Sequence, residues 1–221
     1  MIVRVLLVTM LCLGASTAGA QIIDSRGSAL GGGDPIAFTS LSVGWFNHSS
    51  ICDPDSDSCW EFGGAPQFRF TLEMPVGRGG SFGVAGTTAR VPLLYSGGLL
   101  SSCSRCDADA NVSQVMALFH IGGAGRGFQQ VIDLSAGMTL FSNFRTTDGI
   151  RLDPAKTTSS FNFAVGYGFG YGITDRLQLM LVQDYGLLIH KRMPGESSNT
   201  AQQSATRIGA RYGLGSKRRG F

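Results

Sequence analysis

Three short runs hold residue types that could do chemistry. Asn47-His48-Ser49 sets an imidazole beside a hydroxyl, and His190 offers a second base far along the chain. Nucleophilic catalysis needs base and hydroxyl within hydrogen-bonding reach. Adjacent residues of an extended segment point to opposite faces, so His48 and Ser49 read as rim residues and no catalytic residue is assigned. The run Cys52-Asp53-Pro54-Asp55-Ser56-Asp57-Ser58-Cys59 places carboxylates on alternate positions, an oxygen set that could meet a hard cation such as calcium. It lacks the glycine and distal glutamate of a complete calcium loop and reads as a solvated turn; no metal and no cofactor are expected. Cys103-Ser104-Arg105-Cys106 has redox spacing without a strand-helix-strand context, and reads as a structural loop disulfide.

A second constellation is dispersed along the chain. Arg69, Glu73, Asp133, Asp184, Arg207 and Arg211 all fall on the polar side of alternating segments, three positive against three negative. Buried charges must be paired, so a balanced set suits the inside of a closed structure, a lumen polar network. His120 falls on the same side and is expected to be hydrogen-bonded there.

Strands must position these groups. Alternation of apolar and polar residues predicts eight of them, near 36–47, 66–74, 81–91, 112–121, 130–142, 161–173, 177–189 and 204–214. In the second, Phe68, Phe70, Leu72 and Met74 oppose Gln67, Arg69, Thr71 and Glu73. The sixth reads FNFAVGYGFGYGI, with Phe161, Phe163, Val165, Tyr167, Phe169, Tyr171 and Ile173 on one face and mostly glycine on the other. The connections PVGRGG, GGAGRG and TDR are short, while 48–64, 92–111, 143–158 and 190–203 are long and polar. Strict alternation of short and long connections makes an up-and-down antiparallel sheet with every long loop at one end.

Composition agrees. The 221 residues carry 15% charged side chains and 32 glycines, against usual shares of roughly a quarter and roughly 7%; many short strands with tight turns suit that profile. Residues 1–20 have a secretory signal pattern, with Arg4, an apolar run from Val5 to Leu13 and Ala18-Gly19-Ala20 at the cleavage site. Residues 21–35 are expected to be a flexible lead-in, 36–214 the barrel and 215–221 a basic tail. Without Arg4 the chain has 17 basic and 15 acidic residues, a balance that implies no nucleic-acid partner. Four cysteines then remain, Cys52, Cys59, Cys103 and Cys106; an even count in an exported chain favours disulfides, and three pairings stay open.

Bulk decides which face is outside. An eight-stranded barrel is just wide enough for side chains to fill. Seven large residues from one strand and matching rows from its neighbours would overfill it, whereas glycines fit. The greasy rows must therefore face outward, into lipid. Thirteen residues rise about 43 Å along a strand, or roughly 33 Å when tilted by about 40°, which spans an apolar band of about 25 Å with margins. Trp45, Tyr167, Tyr171, Tyr185 and Tyr212 are the candidates for interfacial girdles.

The signal pattern, the hairpin rhythm, the unit GYGFGYGITDRLQLML and the last strand ATRIGARYGL together resemble the small eight-stranded outer-membrane β-barrels of Gram-negative-type bacteria over roughly residues 36–214. The resemblance implies an all-β, eight-stranded antiparallel up-and-down transmembrane β-barrel in the bacterial outer membrane. It also implies a monomer contacting outer-membrane lipid and lipopolysaccharide, with no wide pore and a structural or surface-interaction role through its long loops. During biogenesis it would meet the barrel-assembly machinery, through Phe221 or Tyr212; Lys217, Arg218 and Arg219 would form a solvated tail. The alternatives are a lipid-A-modifying enzyme and a soluble barrel binding an apolar ligand.

Overall fold

The computed structural model describes residues 34–77, 79–97, 103–123, 125–154, 156–191 and 199–216. The expected signal segment, most of the lead-in, Lys217, Arg218, Arg219 and Phe221 lie outside these. Among the described residues ten strands form one sheet: β1 Ala37–His48, β2 Ile51–Asp53, β3 Ser58–Phe62, β4 Ala65–Val76, β5 Gly80–Gly97, β6 Cys106–Ile121, β7 Gly127–Thr146, β8 Thr158–Gly172, β9 Leu177–Ile189 and β10 Thr200–Leu214. β1 and β4 to β10 pair antiparallel with their sequence neighbours, and β1 pairs with β10, so the ladder closes into an eight-stranded barrel. β2 and β3 form a hairpin whose second strand joins the upper part of β5.

The register fixes the barrel's shape. From Phe38 the ladder runs through Glu73, Gly83, Leu118, Ser135, Ala164, Gly186 and Gln203 and returns to β1 at His48. One circuit thus climbs ten residues along β1, the shear of the barrel. With eight strands at the usual spacings, that stagger tilts each strand by about 40°.

Alternation sets the faces as the sequence implied. Phe68, Val115 and Ile208 stand 57–61% exposed on the outer wall, while Arg69, Gln114 and Arg207, one residue away along the chain, are buried. On β8 every outward side chain from Phe161 to Tyr171 is exposed. Its inward glycines make room for neighbours: a Cβ on Gly166 would overlap the Asp184 carboxylate, and one on Gly170 the Gln178 amide. The soluble-barrel alternative needed the bulky rows inside, and they are outside.

The strands extend further than alternation alone marked. β5 runs to Gly97 and β6 starts at Cys106, inside the span expected as a loop from 92 to 111; β7 runs to Thr146, and β8 and β10 begin at Thr158 and Thr200. The expected loop 48–64 holds the β2–β3 hairpin. Above the apolar band the outward residues turn polar, with Arg90, Asp107 and Asp109, while small inward residues such as Ala108 and Ala110 weaken the contrast that periodicity reads. Cys106 is therefore a strand residue, paired with Tyr95.

Replacing Gly166 by Val should overpack the lumen against Asp184, lowering stability by about 1–3 kcal/mol. Urea titration of the detergent-folded protein, followed by gel mobility, measures this; an unchanged midpoint would contradict the inward packing of β8.

Candidate functional site

The lumen is filled in layers, beginning at the end that carries the short turns. There Arg211 donates to Glu73 from Nη2 at 2.8 Å and Nε at 3.2 Å, and to Ser81 Oγ at 2.8 Å. Glu73 also accepts from Ser81 at 2.5 Å and Thr71 at 2.7 Å. Because Thr71 spends its proton on Glu73, Ser40 donates to Thr71 at 2.7 Å. The Arg211 guanidinium carbon lies 3.7 Å from the centre of the Phe38 ring, which covers the charge from below by a cation–π contact.

The next layer is built around Arg207. Its Nε donates to Asp184 Oδ2 at 2.7 Å and its Nη2 to Asp133. Asp133 in turn accepts from His120 Nδ1 at 2.7 Å; an ionised carboxylate only accepts, so the proton sits on Nδ1. Arg69 is held more loosely, with Nη1 3.8 Å from Asp184. The six charged residues singled out in sequence thus occupy two adjoining groups, Arg211 with Glu73 and Arg207 with Asp133, Asp184 and Arg69, and His120 completes the second.

Above the charges lies a neutral crossbar. Gln114 donates to Gln203 at 2.8 Å and to Thr139 at 3.2 Å, and accepts from Thr87 at 3.1 Å. Asn162 donates to Thr139 at 2.8 Å. Since Gln114 stands on β6 and Gln203 on β10, this chain ties opposite walls together.

The end with the long loops is closed by an apolar plug, which reasoning from sequence missed. Phe46, Trp60, Tyr95, Phe141, Phe144 and Leu188 are its largest members, each at most 2% exposed. Trp60 reaches it from the β2–β3 hairpin, with its ring 4.5 Å from Phe144 and 5.7 Å from Phe141. Trp60 Nε1 donates to Ser58 Oγ at 2.9 Å, so its polar atom is satisfied. The signal available was Trp60 and Phe62 within an otherwise polar loop, together with Val91, Leu93 and Tyr95 on alternate positions.

The rim residues do not assemble a catalytic pair. His48 lies beyond Trp45, the last outward apolar residue of β1, and turns inward against Phe62 with ring centres 5.0 Å apart. Its Nδ1–H donates to the Ser49 carbonyl at 2.5 Å, and burial among the plug rings lowers its pKa to about 4. Ser49 is exposed, and its hydroxyl accepts from the Gln202 backbone N–H at 2.7 Å. Half-buried His190 has its Nδ1 2.9 Å from the Lys191 carbonyl. Asp53 accepts from Ser56 at 2.8 Å, and Asp55 pairs with Lys191, whose pKa this hydrogen bond and charge raise. Among the described residues no group of three or more His, Cys, Asp or Glu side chains could hold a metal ion. The cysteines pair locally, Cys52 with Cys59 across the β2–β3 hairpin and Cys103 with Cys106 at the start of β6.

A closed up-and-down barrel with greasy walls, a charge-balanced lumen and no long apolar helix among the described residues has the fold of the small eight-stranded outer-membrane β-barrels. Neisserial surface protein A is similar to it at a TM-score of 0.53 and 11% identity, over 80% of this chain and 97% of that one. Two further solved structures align at lower scores: the outer membrane protein OprG from Pseudomonas aeruginosa, at 0.45 and 15% identity over 81% and 97% of the two chains, and the attachment invasion locus protein Ail of Yersinia pestis, at 0.42 and 14% over 81% and 98%. The fold likeness rests on the first. No family model and no curated protein matches the chain.

Removing one partner from the central group leaves buried charge unpaired. Arg207→Met should cost about 3–5 kcal/mol in urea unfolding, and adding Asp133→Asn should recover part of that loss. Equal stability of Arg207→Met and wild type would show that the group is not the tight cluster described.

Proposed function

We propose that this protein is an integral outer-membrane β-barrel that makes surface contacts through its long-loop end. The observation that carries this reading is the exposure of large apolar side chains on all eight barrel strands over a solid interior. The outward row of β9 from Leu179 to Ile189 climbs roughly 25 Å at the tilt derived above, the height of the apolar band in such barrels. A closed ladder also leaves no backbone group unpaired in lipid. On this reading residues 1–20 direct export, the short turns face the periplasm, and the outer wall meets lipid and lipopolysaccharide. Tyr212, outward and exposed near the end of β10, is then positioned for the assembly machinery.

The packed lumen supports a role without a wide pore. A permeant ion would have to pass the plug, the amide crossbar and two ion-paired groups in series. What remains for function is the long-loop end, where β5, β6 and β7 rise above the apolar band and carry Arg90, Asp107, Asp109 and Arg145 on their outer faces. Contacts between sites and partners are usually made by such loops and strand ends on a rigid scaffold.

Residues 21–221 should fold into detergent micelles with mostly β circular dichroism and change gel mobility on boiling. A chain that stays soluble without detergent and shows no shift would end the membrane reading. In planar bilayers the folded protein should give no porin-sized conductance; steps like those of a wide channel would contradict the sealed lumen.

A further inference from the structure

The outward residues of β9 are Leu177, Leu179, Leu181, Gln183, Tyr185, Leu187 and Ile189. Gln183 is the middle one, so it stands halfway up the apolar wall. Its ladder partners are Tyr167 on β8 and Thr206 on β10, and Thr206 is paired in turn with Trp45 on β1. Four side chains that can hydrogen-bond therefore form one row across four adjacent strands. At mid-height β4 to β7 carry only apolar side chains, Phe70, Val84, Ala117 and Leu134; the outward Thr88–Ser113 pair of β5 and β6 lies higher, toward the long loops. Tyr167, expected in a girdle at the margin, stands near the middle of the outward row of β8.

Gln183 is only partly satisfied by its own barrel. Its Oε1 accepts from the Thr206 hydroxyl, and its Nε2 donates to the Asp184 carbonyl at 3.3 Å. A primary amide has two N–H donors and two acceptor positions on its oxygen, so these two contacts use one of each. In hydrocarbon neither water nor an acyl chain can meet the others, and polar groups at that depth commonly mark a functional contact. Lipid headgroups lie at the margins of the band and cannot reach its middle.

We propose that the β8–β9–β10–β1 wall is the docking face for a second copy of this chain, with the two Gln183 amides hydrogen-bonded to each other across a two-fold axis. An amide is its own complement, donor to acceptor and acceptor to donor, which is what an isologous contact requires. The proposal replaces the expected monomer and rests on the outer-membrane reading above.

The test uses residues 21–221, first shown to fold by the mobility shift on boiling, then reconstituted in phosphatidylcholine vesicles with donor and acceptor fluorophores. Wild type should show energy transfer that falls as lipid dilutes the protein, and Gln183→Leu should associate roughly tenfold more weakly. Gln183→Cys should give an oxidative cross-linked dimer, while Val115→Cys, on the opposite wall, should not; if Gln183→Cys fails to fold, Thr206→Cys replaces it. Folded wild type that stays monomeric, a Gln183→Leu variant that associates equally well, or equal cross-linking through both walls would overturn the proposal. Failure to fold in detergent at all would instead strike the membrane reading on which it rests.

Discussion

Closure of the hydrogen-bond ladder between β1 and β10 is the constraint from which the rest follows. Eight strands with a stagger of ten residues enclose a lumen that only side chains can fill. Every inward position is therefore limited in size, and every outward position is left without protein around it. Glycine inside and Phe, Leu or Tyr outside on β8 are two sides of that limit. In an open sheet the same strand would gain nothing from four inward glycines, which cost conformational entropy and pack no side chain. Here they admit Asp184 and Gln178 from the neighbouring strand.

What fills the lumen differs along its length, and each filling solves a different problem. Near the short turns, arginines and carboxylates neutralise one another and use up the acceptors of Glu73 and Asp133. Such groups are weak sources of net stability, because desolvation offsets most of their attraction, but losing one partner is costly. Toward the long loops the charges give way to amides and hydroxyls, and then to the aromatic plug. The plug depends on a hairpin outside the barrel proper, since β2 and β3 carry Ile51 and Trp60 into it. The Cys52–Cys59 disulfide spans the hairpin itself, so the lid and the loop tie are one element.

The outer wall is not uniform. Most of it is hydrocarbon-like, but one ladder row across β8, β9, β10 and β1 offers hydrogen-bonding groups, climbing from Tyr167 and Gln183 halfway up to Thr206 and Trp45 above them, across the seam where the first and last strands meet. Along the chain Tyr167, Gln183, Thr206 and Trp45 are far apart, and each reads as a minor irregularity within an apolar strand. Only the register makes them neighbours.

By itself the sequence determined the strand period, the order of short and long connections, the charge balance of the inward positions and the sign of the faces. These are local or additive properties: alternation at two residues, turn composition, and bulk summed over a row. Arg69, Glu73, Asp133, Asp184, Arg207 and Arg211 could be assigned to the lumen in this way without knowing which touched which. Tertiary structure decided the pairings: Arg207 with Asp133 and Asp184, Arg211 with Glu73, Cys52 with Cys59, and Gln114 with Gln203 across the lumen. It also decided that Trp60 folds back into a plug and that His48 turns away from Ser49's hydroxyl. Those outcomes depend on the stagger of the closed ladder, which no single strand specifies, because shear is a property of the whole circuit and appears only when β1 meets β10.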